Sequence, residues 1–326
     1  MSQTRNGSGR NALTLSDSDA RVRAAREAES RLYGHYGISF CDHAVNLSQY
    51  DVNIRVTEVG AGEPVMIVPG NTGDVFPFAP LLAELAGVRL LAVNRPGGGL
   101  SDGMDHSKID FHQLAVDTIS AVMDAFHLES AVLMGHSIGA HWCQWFAMDR
   151  PDRVRKLILL GVPGNIIGTS PPFALRLLLV PHLNSLLYQL VMNADRKDAL
   201  GSLKFMGHPR ESVEKLPQAM AECYHCFQRL PHYKISSLTM MERINRLRGS
   251  RPKITITQDQ LGRIAAPTLM LWGGSDPFGS VETGKKIAGM LRRSEFHEIP
   301  ASGHLPWLDR PKECGDLIEG FISNDH

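Results

Sequence analysis

Apolar positions along the chain follow a helical period in some stretches and form short unbroken runs in others. Ser16 and Ser18 offer N-caps for a helix over 17–34, in which Val22, Ala25, Ala28 and Leu32 share one side. Residues 1–15 before it read as a mobile tail. Strand-like patterns at 38–40 and 53–58 precede the run Val65-Met66-Ile67-Val68, which stops at Pro69-Gly70. Helix and strand then alternate: a helix over 76–86, a strand over 90–93, a glycine-rich turn at 96–99, a helix over 111–126 and a strand over 131–134. Another helix starts after Ser137, and 156–160 is again a buried strand. The alternation ceases over about 164–262, where only helical and irregular patterns occur. It resumes with a strand at 268–272, a helix at 281–291, a strand at 295–299 and a helix at 312–322. Apolar strands alternating with amphipathic helices make βαβ units, a mostly parallel sheet flanked by helices, and right-handed crossovers. The pattern predicts an α/β fold with a tail and helix at 1–35, a core of 36–163 and 262–326, and a helical cap, 164–261, inserted after the sixth strand.

Charge and composition remove whole classes of function. The 326 residues carry 34 Lys+Arg against 34 Asp+Glu, so the net charge is zero. Such a chain lacks the basic excess that neutralises nucleic-acid phosphates, and it has no long-range attraction to an anionic membrane. Five unevenly spaced cysteines, Cys41, Cys143, Cys223, Cys226 and Cys314, make no disulfide framework and fit a reducing, cytoplasmic setting. The polar N-terminus leads into no apolar segment of the kind a secretory signal requires. The most apolar stretch, 174–192, is interrupted by Arg176, Pro181, His182, Asn184 and Gln189, so no transmembrane segment is expected there. It reads instead as cap core or as a lid lining an acyl pocket.

Three local signals carry chemistry. Gly135-His136-Ser137-Ile138-Gly139 directly follows the strand at 131–134 and opens a helix. That is the context of a nucleophile elbow: the serine occupies a strained strand-to-helix turn, and glycine two positions either side relieves the crowding. A serine hydroxyl needs a base, and the base needs an orienting acid. Asp276 follows the strand at 268–272 within Gly273-Gly274-Ser275-Asp276-Pro277, and His304 follows the next strand within Ser302-Gly303-His304-Leu305. All three lie at the C-terminal edge of a parallel sheet, where ligands of open α/β sheets gather, in the order Ser, Asp, His. A weaker signal, Cys223-Tyr224-His225-Cys226, is half of a metal-site pattern that His208 and His232 would have to complete; packing within a helix is the expected role.

On these residues, together with Asn94-Arg95-Pro96-Gly97-Gly98-Gly99-Leu100-Ser101-Asp102, the chain resembles the α/β-hydrolase fold superfamily in its serine-nucleophile, cap-bearing branch. The resemblance covers about 50–163 and 262–324. It implies Ser137 as nucleophile, His304 as base and Asp276 as acid. It also implies an oxyanion hole of two backbone N–H groups, one from Ile138 and one from Asn71, with Thr72 as the alternative. The family usually has His-Gly where this chain has Pro69-Gly70, so the histidine that commonly supports the oxyanion loop is absent. The expected activity is hydrolysis of a carboxylic ester or lactone of a hydrophobic small molecule through an acyl-enzyme, with no cofactor. Two alternatives keep the fold: a C–C bond hydrolase or acyltransferase using the same triad, and a ligand-binding receptor with an idle one. The sequence does not set the oligomeric state.

Overall fold

The computed structural model describes residues 12–173, 176, 199–246 and 249–324. Eight strands form one sheet: β1 (Phe40–Leu47), β2 (Val52–Gly60), β3 (Glu63–Val68), β4 (Val88–Val93), β5 (Ala131–His136), β6 (Val154–Leu160), β7 (Thr268–Gly273) and β8 (Ser294–Ile299). Their spatial order is β8-β7-β6-β5-β3-β4-β2-β1. Neighbours from β8 through to β4 are parallel, and β2 and β1 add antiparallel to that edge. The central strands read as unbroken apolar runs because both faces are covered. In β5, Ala131 and Leu133 pack into one layer while Val132 and Met134 pack into the other. Leu157 and Leu159 of β6 likewise oppose Ile158 and Leu160.

The first layer is closed by α2 (Phe111–Ala125), α3 (Ile138–Asp149) and later α6 (Val281–Ala288). The second is closed by α1 (Ala20–His35), the turns at 76–82 and the terminal helix α7 (Pro311–Ser323). Between β6 and β7 the described residues are mainly helical: short helices Gly201–Phe205 and Arg210–Lys215, then α4 (Gln218–Phe227) and α5 (Tyr233–Ile244). The apolar stretch expected at 174–192 lies outside the described residues, Arg176 apart.

Several boundaries differ from expectation, each for a local reason. The α1 cap is Asp19, whose Oδ1 accepts from Arg21 N at 2.8 Å, while the Ser16 and Ser18 hydroxyls bond to each other at 2.7 Å. Part of the tail is ordered: Ala12–Leu13 pairs with Gly103–Met104, and Leu15 N donates to Asp102 Oδ1 at 2.8 Å. The expected helix over 76–86 shortens to a 3₁₀ turn Phe76–Phe78 and a helix Ala79–Leu82. Pro77 and Pro80 lack the N–H donors that a longer helix would need. The strand expected at 38–40 instead begins at Phe40 and runs to Leu47.

Candidate active site

Ser137 joins β5 to α3 at φ 52° and ψ −118°, a strained conformation for a residue with a Cβ. The neighbours make the strain tolerable. A Cβ on Gly139 would overlap the Val68 and Pro69 carbonyl oxygens, and one on Gly135 would overlap the Ala140 backbone. The Ser137 carbonyl accepts from Gly164 N at 2.9 Å, fastening the turn to the chain leaving β6. The turn also places Ile138 N at the start of a twelve-residue helix, where unpaired N–H groups and the helix dipole favour negative charge.

Asp276 and His304 meet as the spacing anticipates. His304 Nδ1 donates to Asp276 Oδ2 at 2.7 Å, with both side chains almost wholly buried. The carboxylate is itself held by Val162 N at 3.0 Å on Oδ2 and Phe278 N at 3.0 Å on Oδ1. Phe278 stacks on the His304 ring at 4.3 Å between centroids, and His136 lies on it at 4.7 Å. His136 Nε2 donates to the His304 carbonyl at 3.1 Å, and burial drives this imidazole well below its ordinary pKa, so it stays neutral. Among the described residues no hydrogen bond joins Ser137 Oγ to His304, but both side chains line one pocket of about 240 Å³. Unliganded enzymes often hold such a pair loosely.

The loop after β3 carries a support that sequence reasoning missed. Arg95, 1% exposed, donates from Nε to Pro69 O at 3.0 Å and from Nη2 to Asn71 O at 3.0 Å and to Gly70 O. Its guanidinium lies 4.8 Å from the centre of the Trp142 ring. One fork therefore ties down the three carbonyls around the expected oxyanion donor, the work that a histidine at position 69 would otherwise do. Burial lowers the Arg95 pKa to about 9, which still leaves it charged at neutral pH. Arg95 stands inside the Asn94-Arg95-Pro96-Gly97 motif, so a signal for it was in the sequence, although its reach to Pro69 was not.

A second missed feature lies behind His304. His208 Nδ1 donates to Asp309 Oδ2 at 2.7 Å, both side chains 1% exposed, and the same oxygen accepts from Gly303 N at 2.9 Å. His304 N donates to Met206 O at 2.8 Å. Gly207, at φ +82°, lies so close to the Ser275 carbonyl that a Cβ would overlap it. Met206, Gly207 and His208 thus wedge between the loops carrying Asp276 and His304. This engages His208 away from Cys223, which packs in the core, and no metal-holding group of His, Cys, Asp or Glu occurs among the described residues.

The architecture has many counterparts. A 2-hydroxy-6-oxononadienedioate/2-hydroxy-6-oxononatrienedioate hydrolase from Cupriavidus pinatubonensis is 26% identical over 288 residues, 84% of this chain and 92% of that protein. In structure, a carboxylesterase from Bacillus subtilis superposes with a TM-score of 0.72 at 14% identity, covering 94% of this chain and all of that one. A 2-hydroxy-6-oxo-6-phenylhexa-2,4-dienoate hydrolase from Rhodococcus sp. strain RHA1 gives 0.70 at 17% identity, over 88% of this chain and all of the other. The family profile of the alpha/beta hydrolase fold matches residues 63–311, and the chain belongs to that family of hydrolases.

Proposed function

We propose that this hydrolase cleaves a carboxylic ester of a small, largely apolar molecule, with Ser137 as nucleophile, His304 as base and Asp276 as the orienting acid. The observation that carries the reading is the 2.7 Å His304–Asp276 bond on the pocket into which the strained Ser137 turn opens. Asp276 fixes Nδ1 as the protonated nitrogen of His304, which leaves Nε2 to act as base. The Ser137 proton passes to Nε2 as Oγ attacks the ester carbonyl. The oxyanion that forms is held by the Ile138 and Asn71 N–H groups, each worth about 3–4 kcal/mol in the transition state. Collapse expels the alcohol, which takes the proton from Nε2. Water then attacks the acyl-enzyme with His304 again as base and releases the acid. The segment 164–261 is read as the cap, because Tyr224, Gln228 and Met241 from it line the pocket that Ser137 also lines.

Hydrolysis of p-nitrophenyl esters of graded chain length by wild type and Ser137→Ala tests this. Turnover that falls at least about 10³-fold in the variant is expected, and turnover that survives removes Ser137 from the role. A second reading, C–C cleavage of a 2-hydroxy-6-oxo dienoate, is favoured by the relative from Cupriavidus pinatubonensis, which is named a hydrolase of 2-hydroxy-6-oxononadienedioate and 2-hydroxy-6-oxononatrienedioate. Bleaching of the dienoate chromophore by wild type, with no p-nitrophenyl ester cleaved, would select it.

A further inference from the structure

Asp74 lies in the pocket wall, on the loop that carries Asn71. It is 4% exposed, and its Oδ1 has no hydrogen-bond partner among the described residues. The Oδ1 atoms of Asn71 and Asn165, two further lining residues, are also buried and without a partner among the described residues. Native proteins rarely leave buried acceptors unpaired, so three on residues lining one cavity need donors from outside the chain, bound water or a ligand group that takes its place. The groups near Asp74 come from four elements. The Thr72 hydroxyl and Gly99 N–H favour its charged form, Arg95 attracts it, Glu29 of α1 repels it, and burial together with Asp74 raises the pKa of Tyr224 from α4. Burial outweighs the attractions and lifts this carboxyl to about 7. Its Oδ1 can accept from a hydroxyl or an ammonium, and its ionised form repels a second carboxylate. Among the described residues no lysine or arginine lines the pocket to offset that preference.

We propose that Asp74 is a specificity-determining residue and that the substrate is an ester bearing a hydroxyl or protonated amine, held by the Asp74 carboxyl, rather than one bearing a free carboxylate. The proposal rests on the ester reading above. A site built to pair a substrate donor discriminates strongly against analogues that lack it, because its own polar groups are then left unpaired.

Two ester series read the preference from both ends of the scissile bond. One is the methyl esters of hexanoate, 6-hydroxyhexanoate, 6-aminohexanoate and adipate (as its monoester). The other is the acetates of hexanol, hexanediol, aminohexanol and 6-hydroxyhexanoate. In at least one series the hydroxyl or amine member is expected to exceed the methyl-ended member at least about tenfold in kcat/KM, with the carboxylate member lowest. Asp74→Leu should bring the donor-to-methyl ratio to within about twofold of unity. Asp74→Asn, nearly isosteric, should keep a hydroxyl preference and lose an amine preference; it carries the test if the leucine variant does not fold. Equal cleavage of donor-ended and methyl-ended esters, cleavage of the carboxylate member at a matching rate, or ratios unmoved in both variants would overturn the proposal. Calorimetric titration of the same esters into Ser137→Ala gives their binding order without turnover. If no ester is cleaved by wild type, the ester reading fails, and this binding order still decides the role of Asp74.

Discussion

At the scale of single residues, the site depends on one buried arginine as much as on the three residues proposed to do chemistry. Arg95 offers its fork to the carbonyls of Pro69, Gly70 and Asn71, so the position of the Asn71 N–H follows from the position of the guanidinium. Arg95→Met keeps much of the apolar stem but leaves these carbonyls short of donors. The expected cost is about 3 kcal/mol of stability, since each unsatisfied buried group costs about 1–3 kcal/mol and some relaxation follows. Because the same shift displaces the proposed oxyanion donor, kcat should fall about 10²-fold with a smaller change in KM. Arg95→Lys should recover part of the lost stability and little of kcat, because a point charge cannot serve three carbonyls with a planar fork. Thermal melts beside steady-state kinetics on a p-nitrophenyl ester decide this. A methionine variant with kcat within threefold of wild type would separate Arg95 from the oxyanion loop.

At the scale of elements, the segment Met206 to His208 ties the chain between β6 and β7 to the loops that carry Asp276 and His304. His208→Ala removes one of the two donors to Oδ2 of the buried Asp309, whose Oδ1 lacks a partner among the described residues. Leaving a buried acceptor short of a donor costs about 1–3 kcal/mol. The variant should melt lower by several degrees and lose kcat as the Gly303-His304 turn loosens, with partial rescue in His208→Asn, which keeps a donor. Loss of stability with unchanged kcat would make the pair structural only. This contact also marks the limit of what the sequence disclosed. The runs in β3 to β7 were legible because strands buried on both faces are apolar at every position, and the elbow and the Asp276 and His304 turns were legible because each is a local motif at a strand end. β1 was misplaced because as an edge strand it exposes Cys41 and Asp42, which breaks the apolar pattern. His208–Asp309 spans 101 residues, and Arg95 reaches back 24 to 26 residues to the loop it supports. Pairings made by tertiary proximity leave no periodicity to read.

At the scale of the whole molecule, the N-terminal helix is a fastening between the sheet and the segment that follows β6. Val22, Ala25, Ala28, Leu32 and Tyr33 of α1 are fully buried in the layer that also holds Met220, Cys223 and Phe227 of α4. Glu29, 1% exposed, pairs with Arg55 of β2 at 2.6 Å, Arg55 reaches Asp42 of β1 at 2.8 Å, and Arg31 meets Glu222 of α4 at 3.1 Å. One helix therefore touches the antiparallel edge of the sheet and the pocket's proposed cover at once. Deleting residues 1–35 strips five apolar side chains from that layer, of which Val22 and Leu32 are each worth about 1.5–3 kcal/mol when fully buried, and strands Arg55 without its nearest carboxylate. The truncated protein should melt at least about 10 °C lower, and its kcat/KM should fall further than folding loss explains, because α4 supplies Tyr224 to the pocket wall. Glu29→Gln in the full chain separates the two contributions. It removes the ion pair and keeps the apolar face, so it should lower the melting temperature by a few degrees and leave the ranking of ester chain lengths unchanged. A truncated protein with the wild-type melting temperature and activity would show that the layer closes without α1, and the α1–α4 contact would then be an attachment rather than a support.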